Sequence, residues 1–177
     1  MTISEIRTIL SQDDVAEELL QEILSDERKG VKTLVGSYMK RLERKSRERL
    51  RVESMYDVES RFYQEGLTHI VGIDEVGRGP LAGPVTVAAV ILPPHWFCAG
   101  LNDSKKVTPK HREEIAAKIY ESALDVSVVS LSPEEIDAVN IYEATMMSMY
   151  QAEKNLTVSP EAVIVDALTL QFNCPTE

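Results

Sequence analysis

Two adjacent acids, Asp74 and Glu75, stand where an apolar run meets glycine and proline, and this is the position in the sequence best suited to chemistry. Val71, Ile73 and their neighbours predict a buried strand that gives way to a loop at the acids. A carboxylate beside an apolar core needs a cation, strong hydrogen bonds or a shifted pKa. The pattern therefore indicates a metal site, although an acid pair that caps a strand in contact with water would have the same sequence.

A third acid repeats this arrangement further along the chain. Residues 162–165 predict a short apolar strand that stops at Asp166. If this strand lies beside the first in one sheet, Asp74, Glu75 and Asp166 converge, and their oxygen ligands favour Mg²⁺ or Mn²⁺. Two such ions suit phosphodiester hydrolysis, because one activates water and the other stabilises the leaving oxygen. No zinc-type ligand spacing is present, and the scattered histidines are interpreted as surface or core residues: His69, His95 and His111.

Two polar loops are candidates for substrate contacts. Gly77, Arg78 and Gly79 could bring backbone N–H groups close to a ligand such as a sugar edge, since glycine has no side chain and tolerates unusual dihedral angles. A Gly-x-Gly sequence is also common in ordinary turns. Residues 102–106 precede a predicted helix and suit phosphate oxygens, with an exposed turn as the alternative interpretation.

The composition fits one modest domain with an appendage. The chain has 177 residues, 44% of them hydrophobic and 27% charged, so it can bury a core. It has no run near the roughly 18 apolar residues of a membrane span, and its polar, acidic start has no signal-peptide pattern. Cys98 and Cys174 are far apart, which favours free thiols in a reducing compartment. We therefore expect a cytoplasmic protein that does not act at a membrane.

The net charge of −10 hides a strong local asymmetry. Residues 13–27 contain seven acids and no base, whereas residues 28–51 contain ten bases and two acids. The second segment could neutralise nucleic-acid phosphates. The alternative is the solvated face of an Arg-rich helix.

Helical patterns dominate the first 66 residues. Thr2 and Glu5 form a capping-box pattern ahead of the first apolar stripe, and two further stripes follow. The third helix is predicted to continue through the Arg-rich segment towards Phe62 and Tyr63 and to end near Gly66.

From residue 67 onward, strand and helix patterns alternate. β-branched residues predict a strand over residues 85–92, antiparallel to the first strand, and another over residues 126–131. Three helices are also predicted, beginning near Thr108, near Ser132 and near Ile141.

Three segments, in order, resemble the signatures of bacterial ribonuclease HII: Gly72-Ile73-Asp74-Glu75-Val76-Gly77-Arg78-Gly79-Pro80-Leu81-Ala82-Gly83-Pro84, Leu101-Asn102-Asp103-Ser104-Lys105-Lys106 and Val165-Asp166-Ala167. The first segment is long and specific, and its Gly-Arg-Gly favours this family over the related ribonuclease HIII. The resemblance covers about residues 67–170. Residues 1–66 resemble a helical extension found in some Gram-positive members.

The resemblance implies an α/β fold, namely a ribonuclease H-like mixed sheet flanked by helices. It also implies two parts of the chain. Residues 1–66 would be a helical N-terminal extension, for which nucleic acid binding is one interpretation. Residues 67–177 would be the N-terminal part of the catalytic domain, so the fold is expected to be incomplete at the C-terminus.

The resemblance also assigns roles to individual residues. The catalytic and metal-binding acids, three of the family's four, would be Asp74, Glu75 and Asp166, with Asp74 bridging the two ions. The residues that recognise the ribose 2′-hydroxyl would be Gly77, Arg78 and Gly79. The residues that contact backbone phosphate would be Ser104 and Lys105.

The implied activity is endonucleolytic cleavage of RNA in RNA/DNA hybrids, and cleavage 5′ of ribonucleotides embedded in duplex DNA. The implied cofactor is a pair of Mg²⁺ or Mn²⁺ ions, and the complete enzyme would be a monomer. Because the fourth acid is not found, we expect these 177 residues to hydrolyse hybrids poorly. A nucleic-acid-binding or interaction module without activity is one alternative, and a junction-resolving nuclease of the same fold is another.

Overall fold

The structure is a computed structural model that describes residues 1–79, 83–166 and 168–177. Its contacts divide the chain into an N-terminal unit, Met1–Arg51, and a C-terminal unit, Val52–Glu177. Within the described residues, none of the helices has the length and apolar character that crossing a membrane requires.

Three helices form the N-terminal unit: α1 (Ile3–Ser11), α2 (Glu17–Leu24) and α3 (Lys29–Glu53), the last of which runs two residues past the unit boundary. The predicted capping box is confirmed, since the Thr2 hydroxyl accepts from the Glu5 N–H and the Glu5 carboxylate accepts from the Thr2 N–H. The apolar stripes of the three helices meet in one core, whose buried members are Ile6, Leu10, Ile23, Val31 and Tyr38.

The prediction of one helix from the Arg-rich segment to Phe62 was wrong. α3 ends at Glu53, a 3₁₀ turn follows over Ser54–Tyr56, and α4 spans Glu59–Gln64. In a continuous α-helix, residues six apart would point about 120° apart around the axis. The break instead allows Tyr56 and Phe62 both to be buried, with 7% and 8% exposure.

Four strands form one mixed sheet: β1 (Ile70–Val76), β2 (Val85–Ile91), β3 (Asp125–Leu131) and β4 (Ala162–Val165). Their order is β3-β2-β1-β4. β2 is antiparallel to β1 and β3, as predicted for the first pair, whereas β4 is parallel to β1. β1 extends further than predicted, because Asp74 and Glu75 still pair with Ala88 and Val87 of β2.

The predicted helices are present as α5 (Pro109–Ser122), α6 (Pro133–Val139) and α7 (Ile141–Lys154). Thr108 caps α5, and Ser132 with Glu135 forms a capping box at α6. A short 3₁₀ turn over Ser104–Lys106 precedes α5. The α/β fold class, a mixed sheet flanked by helices, is confirmed.

The two faces of the sheet have different neighbours. Val71 and Ile73 of β1 belong to the main core, which also contains the buried Met149 and Ala152 of α7. Ile70 lies on the opposite face and packs with Phe62 of α4. Because side chains alternate along a strand, the next residues on the α4 face are Gly72 and Asp74.

Asp125 ties the start of β3 to the chain that follows α7. Its Oδ2 atom accepts hydrogen bonds from the Val158 N–H at 2.9 Å, the Thr157 hydroxyl at 2.8 Å and the Thr157 N–H at 2.6 Å. Its Oδ1 atom accepts from the Val126 N–H at 2.8 Å. The bond from Val158, followed by those from Thr157, holds the pKa of Asp125 below its ordinary value, because these donors favour the ionised carboxylate.

The lowered pKa predicts an acid-dependent loss of stability. The contribution of Asp125 is present above the unfolded-state pKa of about 3.9 and is lost as the pH falls through the lower folded-state pKa. We expect Asp125→Asn to reduce the free energy of unfolding at pH 7 by roughly 1–3 kcal/mol and to make it less dependent on pH below about 4. Urea unfolding followed by the fluorescence of Trp96, the single tryptophan, measures both effects. The exposed Asp137→Asn is the control, and an equal effect there would contradict the assignment.

Candidate active site

Two aspartates follow the paired segments of neighbouring parallel strands. Ile73 of β1 pairs with Val165, the last residue of β4, and the next residues along the chain are Asp74, still in β1, and Asp166, just after β4. Aligned residues of parallel strands point to the same face, which here is the face opposite α7. Both aspartates are exposed. The backbone register therefore brings Asp74 and Asp166 to the same edge of the sheet.

The register of these strands is fixed at their other end by Glu161. The Glu161 carboxylate accepts the N–H groups of Thr68 at 2.7 Å and His69 at 2.8 Å, and the Glu161 N–H donates to the His69 carbonyl at 2.8 Å. The bonds from His69 and Thr68 lower the pKa of Glu161, so the carboxylate stays ionised. Glu161 was not predicted to be a functional residue from the sequence. Its only signal is an acid just before a short apolar strand.

Glu75 lies on the other face of β1. Its partner on β2 is Val87, which belongs to the core beneath α7. The Glu75 side chain is only 13% exposed, and its Oε1 atom lies 3.5 Å from Nη1 of Arg78. The Glu75 N–H donates to Oδ1 of Asp74 at 2.8 Å. Arg78 therefore compensates the charge of Glu75, a pairing that the sequence could have signalled through opposite charges three residues apart.

The turn after β1 depends on Gly77. Its φ angle is +97°, and a β-carbon there would lie 2.2 Å from the carbonyl oxygen of Pro84. Gly79 differs, because a β-carbon there would meet nothing within 4 Å. The fold therefore requires glycine at position 77, whereas position 79 leaves exposed backbone that a ligand can approach. The neighbouring motif residues 80–82 lie outside the described residues, as does Ala167.

The two glycines give a matched pair of variants. Gly77→Ala is expected to lower the free energy of unfolding by at least about 1–3 kcal/mol, because alanine would combine an unfavourable φ with a backbone clash. Gly79→Ala is expected to change it by no more than about 0.5 kcal/mol. Urea unfolding of both variants, followed by Trp96 fluorescence, measures the difference. Similar stabilities for the two variants would contradict this account of the turn.

The candidate acids offer oxygen ligands, the type that hard divalent cations prefer. The described side chains, however, do not form a complete set of ligands for such an ion. Carboxylate oxygens are suited to Mg²⁺ or Mn²⁺. Across residues 1–79, 83–166 and 168–177, no group of three or more His, Cys, Asp or Glu side chains could hold a metal ion. Asp74 and Asp166 share one face, whereas Glu75 is held by Arg78 on the other. Among the described residues, the structure therefore does not bring all three candidate acids together as one set of ligands.

Comparison with known protein families identifies the relatives of this chain. The model of the family described as Ribonuclease HII matches residues 71–176, and that of the Ribonuclease HII N-terminal domain matches residues 2–63. The chain belongs to the ribonuclease HII family. The family predicted from the sequence motifs is therefore confirmed, and with it the prediction that the chain comes from a family of enzymes that cleave RNA.

Individual members of the ribonuclease HII family agree closely with this chain. The chain is 44% identical to the ribonuclease HII of Ligilactobacillus salivarius (strain UCC118) over 175 residues, which cover 99% of this chain and 68% of that protein. It is 42% identical to the ribonuclease HII of Bacillus mycoides (strain KBAB4), with coverage of 99% and 68%. The chain thus spans about two thirds of the length of these relatives.

A solved structure supports the fold. The ribonuclease H2 from Pyrococcus horikoshii OT3 matches with a TM-score of 0.52 at 23% identity, covering 60% of each chain. This likeness shows a common fold between the two proteins. The ribonuclease H-like architecture predicted from the sequence is therefore confirmed.

The family models also bear on how this chain is organised. They meet between residues 63 and 71, whereas the contact boundary of the structure lies between Arg51 and Val52. The two boundaries differ because α4 packs with Ile70 and Ala162 in the C-terminal unit. The functional division into residues 1–66 and 67–177 stays a prediction.

Ser104 and Lys105 lie in the exposed 3₁₀ turn between β2 and α5. Asp103 Oδ1 accepts from the Lys105 N–H at 2.9 Å, and Arg112 donates to the Ser104 carbonyl at 3.2 Å. In the part of the chain that the structure describes, no hydrogen bond or ion pair joins this turn to the three acids. The loop is therefore held by its own neighbours and leaves both side chains exposed to solvent.

Proposed function

We propose that this chain cleaves RNA in RNA/DNA hybrids, and cleaves 5′ of single ribonucleotides in duplex DNA, by metal-dependent hydrolysis. The observation that carries the proposal is the parallel register that sets Asp74 beside Asp166, within a chain that matches the ribonuclease HII family model. The exposed glycine turn follows on the same strand as Asp74. Carboxylates that hold divalent ions beside such a turn suit a substrate that presents both phosphates and sugars.

A pair of Mg²⁺ or Mn²⁺ ions would be held by Asp74, Glu75 and Asp166. When bound, such ions supply an activated water and stabilise the leaving oxygen. The role of the protein would be to supply the carboxylates that hold these ions. The backbone register of β1 and β4 supports this role for Asp74 and Asp166, and Glu75 would contribute its carboxylate from the other face of β1.

Substrate recognition would use the turn after β1 and the turn before α5. The backbone of Gly77, Arg78 and Gly79 is proposed to meet the ribose 2′-hydroxyl, the group that separates RNA from DNA. Ser104 and Lys105 are proposed to contact backbone phosphate. Neither type of contact involves base edges, so we expect no sequence specificity. Residues 1–66 are proposed to be an extension that binds the same duplex.

The cleavage by this chain is proposed to be slow. Glu75 is 13% exposed, is paired with Arg78 and lies on the other face of β1 from Asp74, so its carboxylate must be reoriented before it can share an ion with Asp74. The site is thus not preorganised, and preorganisation is a major source of rate enhancement in enzymes. We therefore expect a low rate of cleavage even when the chain is in excess over the substrate. The complete enzyme is proposed to act as a monomer.

The deciding experiment uses a fluorescently labelled DNA duplex that contains one ribonucleotide, with the purified chain in excess and with Mg²⁺ or Mn²⁺ supplied. The expected product ends immediately 5′ of the ribonucleotide, and the matched all-DNA duplex stays intact. Absence of any cleavage with both metals would overturn the proposal. Cleavage of both duplexes would favour a nuclease of different specificity, such as a junction-resolving enzyme. Rapid multiple turnover would contradict the slow rate that we infer from Glu75.

A further inference from the structure

One face of α3 carries basic side chains along its length. At 100° per residue, Lys29, Lys32, Lys40 and Arg44 fall within about 120° of the helix circumference. All four are exposed. The buried Val31 and Tyr38 lie on the opposite side of the same helix, in the core of the N-terminal unit. We call this surface the α3 basic face and define it by Lys29, Lys32, Gly36, Lys40 and Arg44.

Other bases of α3 and its N-terminal flank are already engaged within the chain. Arg41 donates to the carbonyls of Leu10 at 2.6 Å and Gln12 at 2.8 Å, at the end of α1. The remaining engaged bases form ion pairs: Arg28 with Asp26, Lys45 with Asp13, Arg47 with Glu43, and Arg51 with Glu48. Each of these bases therefore has a partner within the chain, and its charge can be accounted for by that internal contact.

The four bases of the α3 basic face lack such internal partners in the part of the chain that the structure describes. In the described ranges, the side chains of Lys29, Lys32, Lys40 and Arg44 make no hydrogen bond or ion pair. Glu43, which falls within the same arc of the helix, forms an ion pair with Arg47 at 2.6 Å. The face therefore presents uncompensated positive charge, even though the whole chain has a net charge of −10.

Gly36 lies in the middle of this face. Glycine in a helix interior is less favourable than alanine by about 0.8–1.0 kcal/mol, so its presence needs a reason. Gly30 has one, since a β-carbon there would lie 3.0 Å from the Ile3 side chain. A β-carbon at Gly36 would meet nothing within 4 Å, so packing within the chain does not require glycine there. A side-chain-free position among four bases allows a ligand backbone to approach the helix closely.

We infer that the α3 basic face binds the phosphate backbone of a nucleic-acid duplex, with Gly36 as the point of closest approach. This inference rests on the proposed function, because it takes the substrate to be a duplex. From Lys29 to Arg44 the face extends about 22 Å along the helix at 1.5 Å per residue. Lysine and arginine contacts to phosphate carry no base information, so the binding is independent of sequence.

Binding is tested separately from cleavage, on the full chain in EDTA, by the fluorescence anisotropy of a labelled all-DNA duplex at several KCl concentrations. The first variant replaces Lys29, Lys32 and Lys40 with glutamine. Each phosphate contact contributes about 0.9 to the slope of log K against log salt. We therefore expect the slope to fall by about 2 to 3 and the affinity to fall for every sequence. The matched control replaces three exposed lysines of the C-terminal unit with glutamine: Lys110, Lys118 and Lys154.

The second test places opposite charges at Gly36. Gly36→Lys and Gly36→Glu both introduce good helix formers, so both are expected to leave α3 folded. Gly36→Glu should weaken duplex binding, whereas Gly36→Lys should preserve or strengthen it. Equal affinities for these two variants, or an equal loss of slope in the control triple variant, would overturn the inference. The binding test is independent of the cleavage test, because no cleavage occurs in EDTA. If the α3 variants bind the duplex normally, only the binding inference fails; if the chain does not cleave, only the catalytic proposal fails.

Discussion

Asp74→Asn is expected to reduce the single-turnover cleavage of a ribonucleotide-containing duplex by at least about 100-fold. The substitution keeps the shape of the side chain but removes the charge that would hold the metal ions, whose contribution to such reactions is several kcal/mol, at about 1.4 kcal/mol for each tenfold change in rate. The rate with excess protein, in Mg²⁺ and in Mn²⁺, measures this effect. Asp74 is exposed on the sheet edge, so the loss should not arise from unfolding.

A second readout shows whether the charge acts through the metal. The chain is expected to bind Mn²⁺ weakly, as detected by the loss of the free-ion electron paramagnetic resonance signal, and Asp74→Asn should lower that affinity. The matched control is Asp137→Asn, on the exposed side of α6, which should alter neither rate nor affinity. Unchanged cleavage and unchanged Mn²⁺ binding in Asp74→Asn would remove Asp74 from the site.

Met149→Ala is expected to lower the free energy of unfolding of the C-terminal unit by about 2–5 kcal/mol. Met149 is fully buried in the core that joins α7 to the sheet. Its truncation would leave a cavity next to the strands that carry the candidate acids. Urea unfolding followed by Trp96 fluorescence measures the loss, since Trp96 belongs to this unit.

The same helix supplies the control. Met147 lies two residues earlier and is 54% exposed. Met147→Ala removes the same atoms, and it is expected to change the free energy of unfolding by no more than about 0.5 kcal/mol. Comparable destabilisation by the two substitutions would show that α7 does not pack as described.

Much of the local structure follows directly from short-range signals. The capping residues Thr2, Thr108 and Ser132 each begin the helix that was predicted, because a hydroxyl that satisfies free N–H groups acts over only a few residues. The β-branched residues that predict β2 are likewise a signal contained within a short segment. Prediction failed between residues 53 and 59, where the burial of Tyr56 and Phe62 against distant parts of the chain breaks the helix.

The candidate site also has features that the sequence predicts and features that only the fold decides. The sequence by itself determined the family and predicted the kinds of ligand and the candidate acids, because these depend on residue types and their order. Only the tertiary structure decided which of these acids share an edge and a face of the sheet. Asp166 comes to the same edge as Asp74 because β4 lies parallel to β1 in a register held by Glu161, whereas strand alternation turns the adjacent Glu75 towards the other face and Arg78. Neighbours in sequence can therefore lie on opposite faces, since side-chain direction is set by the pleat of the sheet and strand pairing by contacts across the whole fold.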